Sequence, residues 1–247
     1  MNRRSPLLAS LAALLLLAAA GLAHAFLSTT IAPSGKVAQE SRVVSGYTGI
    51  AVAVPGTIVV RQGDYAPIAI EADDNLLPEI ETVVEGGTLK VRFKRKLNVT
   101  GRATIRLLVT GPTIESLAVA GSGDILAEAL KSQALSISVA GSGDVKIARL
   151  DAQSLKASVA GSGDIKVAGR AAEVNLTVAG SGDVEADRLE SRRAKVSIAG
   201  SGDVSVWALE SLEATVAGSG DIRYYGDPSI SSKVAGSGSL KRLGRAP

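Results

Sequence analysis

Residues 117–125 read LAVAGSGDI, and this stretch returns with small changes through the rest of the chain. Its centre, Ala-Gly-Ser-Gly, occurs seven times, and six of the seven copies continue with Asp. The first glycines of successive copies are 18 to 20 residues apart, at Gly121, Gly141, Gly161, Gly180, Gly200, Gly218 and Gly236. Self-similarity with a period of roughly 20 residues or more indicates a repeat architecture.

Apolar and polar residues alternate on both sides of each turn. In the first copy, Leu117 and Val119 precede the turn and Ile125 follows it, and the other copies place apolar residues at the same offsets. Alternation with a period of two predicts half-buried strands. Each copy therefore predicts a strand, a Gly-Ser-Gly-Asp turn and a second strand. A further apolar anchor is expected nine residues after the first glycine, at Leu130, Leu150, Leu189 and Leu209.

Strands whose inward residues recur every 20 residues or so predict an all-β fold, a parallel β-helix (solenoid) with one repeat per coil. Consecutive coils would pair at about 4.8 Å, so equivalent residues would stack in ladders. Propeller blades need about 40 residues, and leucine-rich repeats carry a Leu/Asn pattern that is missing here. The β-helix is therefore favoured over both.

The first 25 residues have the features of a secretory signal peptide. Arg3 and Arg4 precede an Ala/Leu-rich run over residues 7–22, and Ala23-His24-Ala25 gives a small-x-small cleavage site. An uncleaved anchor is the alternative, but the run is shorter than the ~20 apolar residues of a spanning helix. We expect export to the periplasm or cell surface of a bacterium, with no transmembrane anchor after cleavage.

The remaining chain divides into three parts of one domain. Residues 26–39 are expected to form a flexible leader, and residues 40–115 irregular β coils with an N-terminal cap. Residues 116–247 form the repeat β-helix. A cap is expected because the unpaired strand edges at the end of a solenoid invite aggregation. Within the cap, the stretch from Asn75 to Glu79 is expected to form a short helix or turn between strands.

The residue inventory argues against catalysis. The chain has no Cys, and its single His, His24, lies in the signal peptide. The mature chain therefore lacks the commonest general base, the best transition-metal ligand and the thiol nucleophile. Without Arg3 and Arg4, 25 basic residues face 24 acidic ones, so nucleic acid is not an expected partner. We expect no enzyme activity, no cofactor and no metal site, with calcium the exception considered below.

Several motifs together resemble the bacterial head-GIN adhesin family. They are Gly-x-x-Val-x-Val, Gln-Gly-Asp, Asp-Asn-Leu-Leu-Pro-x-Ile and Gly-x-Leu-x-Val, followed by the repeated Gly-Ser-Gly-Asp. The resemblance covers about residues 45–240. It implies an all-β, right-handed, pectin-lyase-like parallel β-helix, an exported location and a role in adhesion. It implies no catalytic residues.

The turns place six aspartates in a predicted ladder, for which three hypotheses remain open. In the favoured one the carboxylates are structural and satisfy N–H groups of the turns. In the second they bind calcium, although each coil offers one carboxylate rather than several oxygens. In the third, two of them act as the carboxylate pair of a glycoside hydrolase, yet six equivalent turns offer no distinct acid and base. The six residues are Asp124, Asp144, Asp164, Asp183, Asp203 and Asp221.

Two further features are candidate binding surfaces. Trp207 and Tyr225 both lie seven residues after a first glycine, so we expect them on adjacent coils at an exposed position. An exposed aromatic pair suits a sugar ring or a protein surface, and packing against the C-terminal segment is the structural alternative. Lys90, Arg92 and Lys94 share one face of a predicted strand. This basic strip would bind anionic groups of the envelope. The structural alternative is a solvent-exposed strand edge whose charges discourage pairing with other strands.

We therefore expect a non-catalytic, adhesin-like module that binds envelope polysaccharide or a surface protein. A polysaccharide-active enzyme using ladder aspartates is the first alternative, and a self-associating structural envelope protein is the second. The oligomeric state has no mark in the sequence.

Overall fold

The computed structural model describes residues 29–247. The predicted signal peptide and the first residues of the leader lie outside this range. The N-terminal strands are β1 (Thr29–Ile31), β2 (Val37–Arg42), β3 (Gly49–Val52), β4 (Gly56–Gln62), β5 (Ile68–Asp73), β6 (Ile80–Glu85), β7 (Thr88–Phe93), β8 (Leu97–Val99) and β9 (Ile105–Gly111). A short 3-10 turn over Leu77–Glu79 precedes β6, within the excursion predicted at Asn75 to Glu79.

The repeat region forms ten strands that build the coils. They are β10 (Ser116–Gly121), β11 (Gly123–Ala127), β12 (Leu130–Gly141), β13 (Val145–Gly161), β14 (Ile165–Gly180), β15 (Val184–Gly200), β16 (Val204–Gly218), β17 (Ile222–Tyr225), β18 (Ser229–Gly236) and β19 (Leu240–Gly244). The long strands β12 to β16 run through most of a coil each.

Coils of the repeat region pair in parallel and in the predicted register. Gly141 pairs with Gly121 on one side and with Gly161 on the other, and the same register continues to Gly236. The result is a β-solenoid of about six coils, which confirms the predicted parallel β-helix.

The inward residues form one continuous core. The valines and isoleucine two residues before the first glycines are at most 2% exposed from Val119 to Val216. Leu209 is a correction, because it is 43% exposed rather than an inward anchor. The repeat from Gly200 to Gly218 has only 18 residues, so the register shifts and Ala208 pairs with Ser191 and faces the core instead.

The first coil lies inside the stack rather than at its end. β3 and β4 pair in parallel with β10 and β11 on one side and with β7 and β9 on the other. At the outer side, β6 pairs antiparallel with β7, β5 with β9, and β2 with β5. Residues 40–115 thus contribute both a central coil and antiparallel strands that cover this end.

The flexible leader predicted for residues 26–39 is wrong for its described part. β1 pairs in parallel with β8, and β2 lies against β5. The carboxylate of Asp73, which is buried, accepts hydrogen bonds from the amides of Gly35 and Thr104, both at 2.8 Å. The segment is ordered because its backbone groups find partners on a sheet edge that is distant in sequence.

Candidate ligand-binding surfaces

The glycines of the turn let successive coils approach each other closely. A Cβ on Gly143 would lie 2.0 Å from the carbonyl oxygen of Gly123, and a Cβ on Gly163 would lie 2.1 Å from that of Gly143. Gly141, the first glycine of its turn, also has φ +136°, which L side chains rarely adopt. The stacked backbone of the turns therefore excludes side chains at these positions and fixes where each aspartate lies.

The aspartates form a hydrogen-bonded ladder along the solenoid. In each step, Oδ1 of one aspartate accepts the backbone N–H of the aspartate in the next coil, at 2.7 to 3.0 Å from Asp124 through to Asp221. The last step ends at Ser239, whose amide and hydroxyl both donate to Oδ1 of Asp221 at 2.8 Å. These bonds lower the pKa of Asp221, the hydroxyl more than the amide.

This geometry favours the structural hypothesis for the ladder. One oxygen of every ladder carboxylate already accepts an amide, as expected for a group that holds a turn. Arg223 binds Oδ2 of Asp203 at 2.9 Å, so part of the second row of oxygens is neutralised as well. Within residues 29–247, no three His, Cys, Asp or Glu side chains lie close enough together to hold a metal ion.

Trp207 and Tyr225 lie on adjacent coils and pair in register, but both side chains are half-buried. The indole Nε1 of Trp207 is buried without a hydrogen-bond partner. The ring of Tyr225 lies 3.6 Å from where a Cβ of Gly244 would be, so β19 passes over it. Tyr225 is therefore packed partly beneath β19, and neither ring stands fully open to solvent.

The basic strip is largely neutralised within its own hairpin. Lys90 binds Glu85 at 2.5 Å, and Arg92 binds Glu81 and Glu85, both at 2.8 Å. The bond from Lys90 and then that from Arg92 lower the pKa of Glu85. Lys94 is exposed beyond the end of β7. Cations of β7 therefore form ion pairs with carboxylates of β6. The alternation on β7 alone could not reveal these carboxylates, because they lie on the neighbouring strand.

A groove on another flank was not found from the sequence. It has a volume of about 1120 Å³ and runs along the coils from Glu115 to Ser231. Its floor is a column of apolar residues, each six positions before a first glycine, and all but the last are at most 4% exposed. The floor residues are Leu135, Leu155, Val174, Ala194, Leu212 and Ile230. The floor residues continue the apolar alternation that the sequence shows two and four positions before each first glycine, so their inward position could have been predicted.

The residues beside the floor column, all polar except Ala134, form the two walls of the groove. In the N-terminal half they are mainly uncharged, and Lys156 is its one cation. In the C-terminal half, Arg193 pairs with Glu173, and Lys195 pairs with Glu213 at 2.7 Å. The wall residues are Ala134, Ser154, Glu173, Arg193, Ser211 and Ser229 on one side, and Ser136, Lys156, Asn175, Lys195, Glu213 and Ser231 on the other.

Comparison with known proteins assigns the chain to a family. The profile described as "Putative auto-transporter adhesin, head GIN domain" matches residues 46–228, which is well over half of the chain. The chain belongs to the head GIN domain family. No curated protein sequence matches this head GIN chain. The match begins before the first coil and ends within the last turns, so it spans both the irregular and the repetitive parts of the solenoid.

Solved structures show the same fold in bacterial relatives. A "putative adhesin" from Bacteroides fragilis is 29% identical with a TM-score of 0.80, covering 86% of the head GIN chain and 100% of its own. A "putative lipid binding protein" from Parabacteroides distasonis is 28% identical with a TM-score of 0.72, covering 87% and 100%. A "putative adhesin" from Parabacteroides merdae is 21% identical with a TM-score of 0.68, covering 87% and 100%, and shows the fold alone. Among residues 29–247 of the head GIN chain, no helix is long and apolar enough to cross a membrane.

Proposed function

We propose that this head GIN protein is an exported, non-catalytic adhesin module that binds an extended polysaccharide of the cell envelope. The observation that carries the proposal is the groove, which crosses successive coils and offers the same kind of position on each of them. A long polymer laid along it would meet one set of side chains per coil, about 4.8 Å apart. Weak contacts repeated along one ligand add up to useful affinity.

The wall chemistry supports a hydroxyl-rich ligand. Ser136, Ser154 and Asn175 offer hydrogen-bond donors and acceptors beside an apolar floor. The floor residues from Leu135 to Leu212 are at most 4% exposed, so the wall side chains would make most of the contacts with the ligand. The cross-coil pairs of Arg193 and Lys195 stiffen the C-terminal walls, because each side chain is held by a carboxylate on a neighbouring coil. Little side-chain entropy would then be lost on binding.

The first test is cosedimentation of the protein with isolated envelope polysaccharide. The variant Lys156→Ala/Asn175→Ala removes two wall groups and is expected to lose most of the binding. Lys146→Ala/Thr177→Ala is the matched control, because these exposed residues lie on the same two strands, β13 and β14, but outside the groove. Binding that both variants retain would contradict the groove as the site.

The aromatic pair and the basic strip are tested in the same assay as alternative sites. Loss of binding in Trp207→Ala/Tyr225→Ala, with the groove variant unaffected, would move the site to the C-terminal end. Loss in Lys90→Ala/Arg92→Ala/Lys94→Ala would move it to the β6–β7 hairpin. Lipid vesicles serve as a parallel probe because one structural relative is described as lipid binding. A purified surface protein in place of the polysaccharide tests the other partner class.

The absence of catalysis is part of the proposal. The ladder carboxylates repeat one arrangement, in which Oδ1 accepts an amide, so no pair has the separate acid and base roles that glycoside hydrolysis requires. The supernatant of the cosedimentation is analysed for released oligosaccharides. Products that disappear on an Asp→Asn change in a single turn would replace the adhesin proposal with an enzyme.

A further inference from the structure

The last coil, formed by β18 and β19, exposes positions that belong to the core in the preceding coils from Gly141 to Gly218. Ile230 and Val234 are 44% and 43% exposed, whereas their partners on the preceding coil, Leu212 and Val216, are each 1% exposed. Within residues 29–247, β18 pairs only with β16, and β19 only with β17. The outer edge of this coil therefore combines unpaired backbone groups with an apolar surface.

The last coil and the residues after it carry a net positive charge. From Asp227 onward the chain carries Lys233, Lys241, Arg242 and Arg245 against the single acid Asp227. Arg242 stands in register with Tyr224, a core position, and its Nε donates to the carbonyl oxygen of Gly226 at 2.8 Å. A charged residue over the core and lysines on an edge strand both oppose pairing of the edge with a copy of itself.

Inner coils show how such charges are satisfied in this solenoid. Where the paired position of an adjacent coil carries a carboxylate, the cation forms an ion pair with it, as in Lys166 with Glu185 and Lys195 with Glu213. Two other pairs in the register, Lys146 with Lys166 and Lys241 with Arg223, bring cations opposite each other instead. The same rule applied to the last coil calls for acidic residues opposite Lys233 and Lys241. It also calls for apolar residues over Ile230 and Val234.

We propose that the outer edge of β18 and β19 receives an extended acidic protein segment as an added strand, with apolar side chains facing inward and carboxylates facing Lys233 and Lys241. Strand addition supplies main-chain hydrogen bonds for affinity, and the alternating side chains supply specificity. Arg242 forms an ion pair with Asp227 at 3.3 Å, so this end carries four cations and one acid. A second copy docking through the same end would bring two surfaces of net charge +3 together, which is unfavourable. This surface adjoins the C-terminal end of the groove at Ile230, whereas Lys156 and Asn175 lie on inner coils away from it.

The test uses two labelled octapeptides, one alternating valine with glutamate and one alternating valine with lysine, in fluorescence anisotropy with the purified protein. The acidic peptide is expected to bind the protein, and the basic peptide is not. In Lys233→Glu/Lys241→Glu the affinity for the acidic peptide should fall by about tenfold or more, and the basic peptide should bind instead. Neither lysine lines the groove, so the envelope-polysaccharide assay should be unchanged in this variant.

The matched control is Lys131→Glu/Lys146→Glu, which reverses two exposed lysines on inner coils and should keep the wild-type preference. Hydrogen exchange with an excess of the acidic peptide should protect amides of Ser229–Gly236, of Leu240–Gly244 or of both, since one octapeptide covers only one of these strands. The proposal is overturned if both peptides bind equally, or if charge reversal does not change the preference. It is equally overturned if the protein alone dimerises through this edge in sedimentation.

Discussion

At the residue scale, the second glycine of each Gly-Ser-Gly turn lies against the backbone of the coil before it. A Cβ at Gly163 would meet the carbonyl oxygen of Gly143 at 2.1 Å and Cγ1 of Val139 at 2.9 Å. Neither is the free end of a flexible side chain. The glycine is required here for space, because no positive φ is involved at this position.

Gly163→Ala is expected to destabilise the protein by about 2 to 4 kcal/mol, because the backbone of two coils must move apart. Gly63→Ala is the control, since its Cβ would meet only Cγ2 of Thr110 at an ordinary 3.6 Å. Chemical denaturation measures both. Equal midpoints for the two variants would show that the coils adjust freely at the turn.

The aspartate ladder makes a second prediction at this scale. Asp164→Ala leaves the amide of Asp183 without its acceptor and is expected to cost about 1 to 2 kcal/mol. Asp164→Asn keeps Oδ1 as an acceptor and removes one charge from a row of like charges, so it should change stability much less. Thermal unfolding compares the two variants.

The calcium hypothesis for the ladder aspartates predicts that added calcium stabilises the protein, and the structural hypothesis predicts that it does not. Because Oδ1 of each aspartate is used by an amide, millimolar calcium is not expected to raise the melting temperature. A ligand that binds only the folded state would raise it, and above the dissociation constant the rise would grow with the logarithm of the ligand concentration. Such a rise, lost in Asp164→Asn, would restore the calcium hypothesis.

At the scale of the element, the strands differ in how well they are covered. β13, β14 and β15 each have a parallel neighbour on both sides, whereas every residue of β18 is exposed. In a solenoid each coil contacts only its neighbours, so stability is distributed along the stack rather than uniformly.

Amides of β18 and β19 are therefore expected to exchange with solvent before those of β13 to β15. Hydrogen exchange followed by mass spectrometry reads the order directly. The antiparallel strands β2 and β5 act as an internal control, because they cover the other end and should retain more protection than β18. Uniform protection from β10 to β19 would mean that the solenoid opens as one unit.

The whole molecule has a charge distribution that predicts its pH dependence. Residues 29–247 contain no histidine, so no side chain with an ordinary pKa titrates between about pH 6 and 8. Hydrogen bonds from basic partners lower the pKa of Glu40 through Arg42, of Glu85 through Lys90 and Arg92, and of Asp151 through Arg170. A carboxyl with a lowered pKa in the folded state stabilises the fold above its unfolded pKa. That stabilisation is lost as the pH falls through the folded value.

The melting temperature is accordingly expected to be flat between about pH 6 and 8 and to fall below the ordinary pKa values of 4.5 for glutamate and 3.8 for aspartate. Calorimetry over this range measures it. Asp151→Asn should remove part of the acid dependence, while Asp64→Asn, for which no ion pair is present, should leave it. A transition between pH 6 and 7 would contradict this account.

The sequence by itself determined the coil and its register. Alternation near each turn and the glycines inside it are local constraints, and they place Val119 in the core and Asp124 at the turn without knowledge of other elements. The stacking of identical turns then follows from the repeat of 18 to 20 residues. The parallel solenoid could be predicted for this reason, and the stacking of the aspartates in a ladder followed from the same turn geometry.

Only the tertiary structure decided which surfaces are free. Leu209 is exposed because an 18-residue coil shifts the register, and Trp207 and Tyr225 are half-buried where the C-terminal strands run past them. The carboxylates that neutralise Arg92 come from the antiparallel partner of its strand. The groove exists because polar residues from several coils flank one apolar column. Each of these depends on distances between coils, which alternation within a single repeat does not encode.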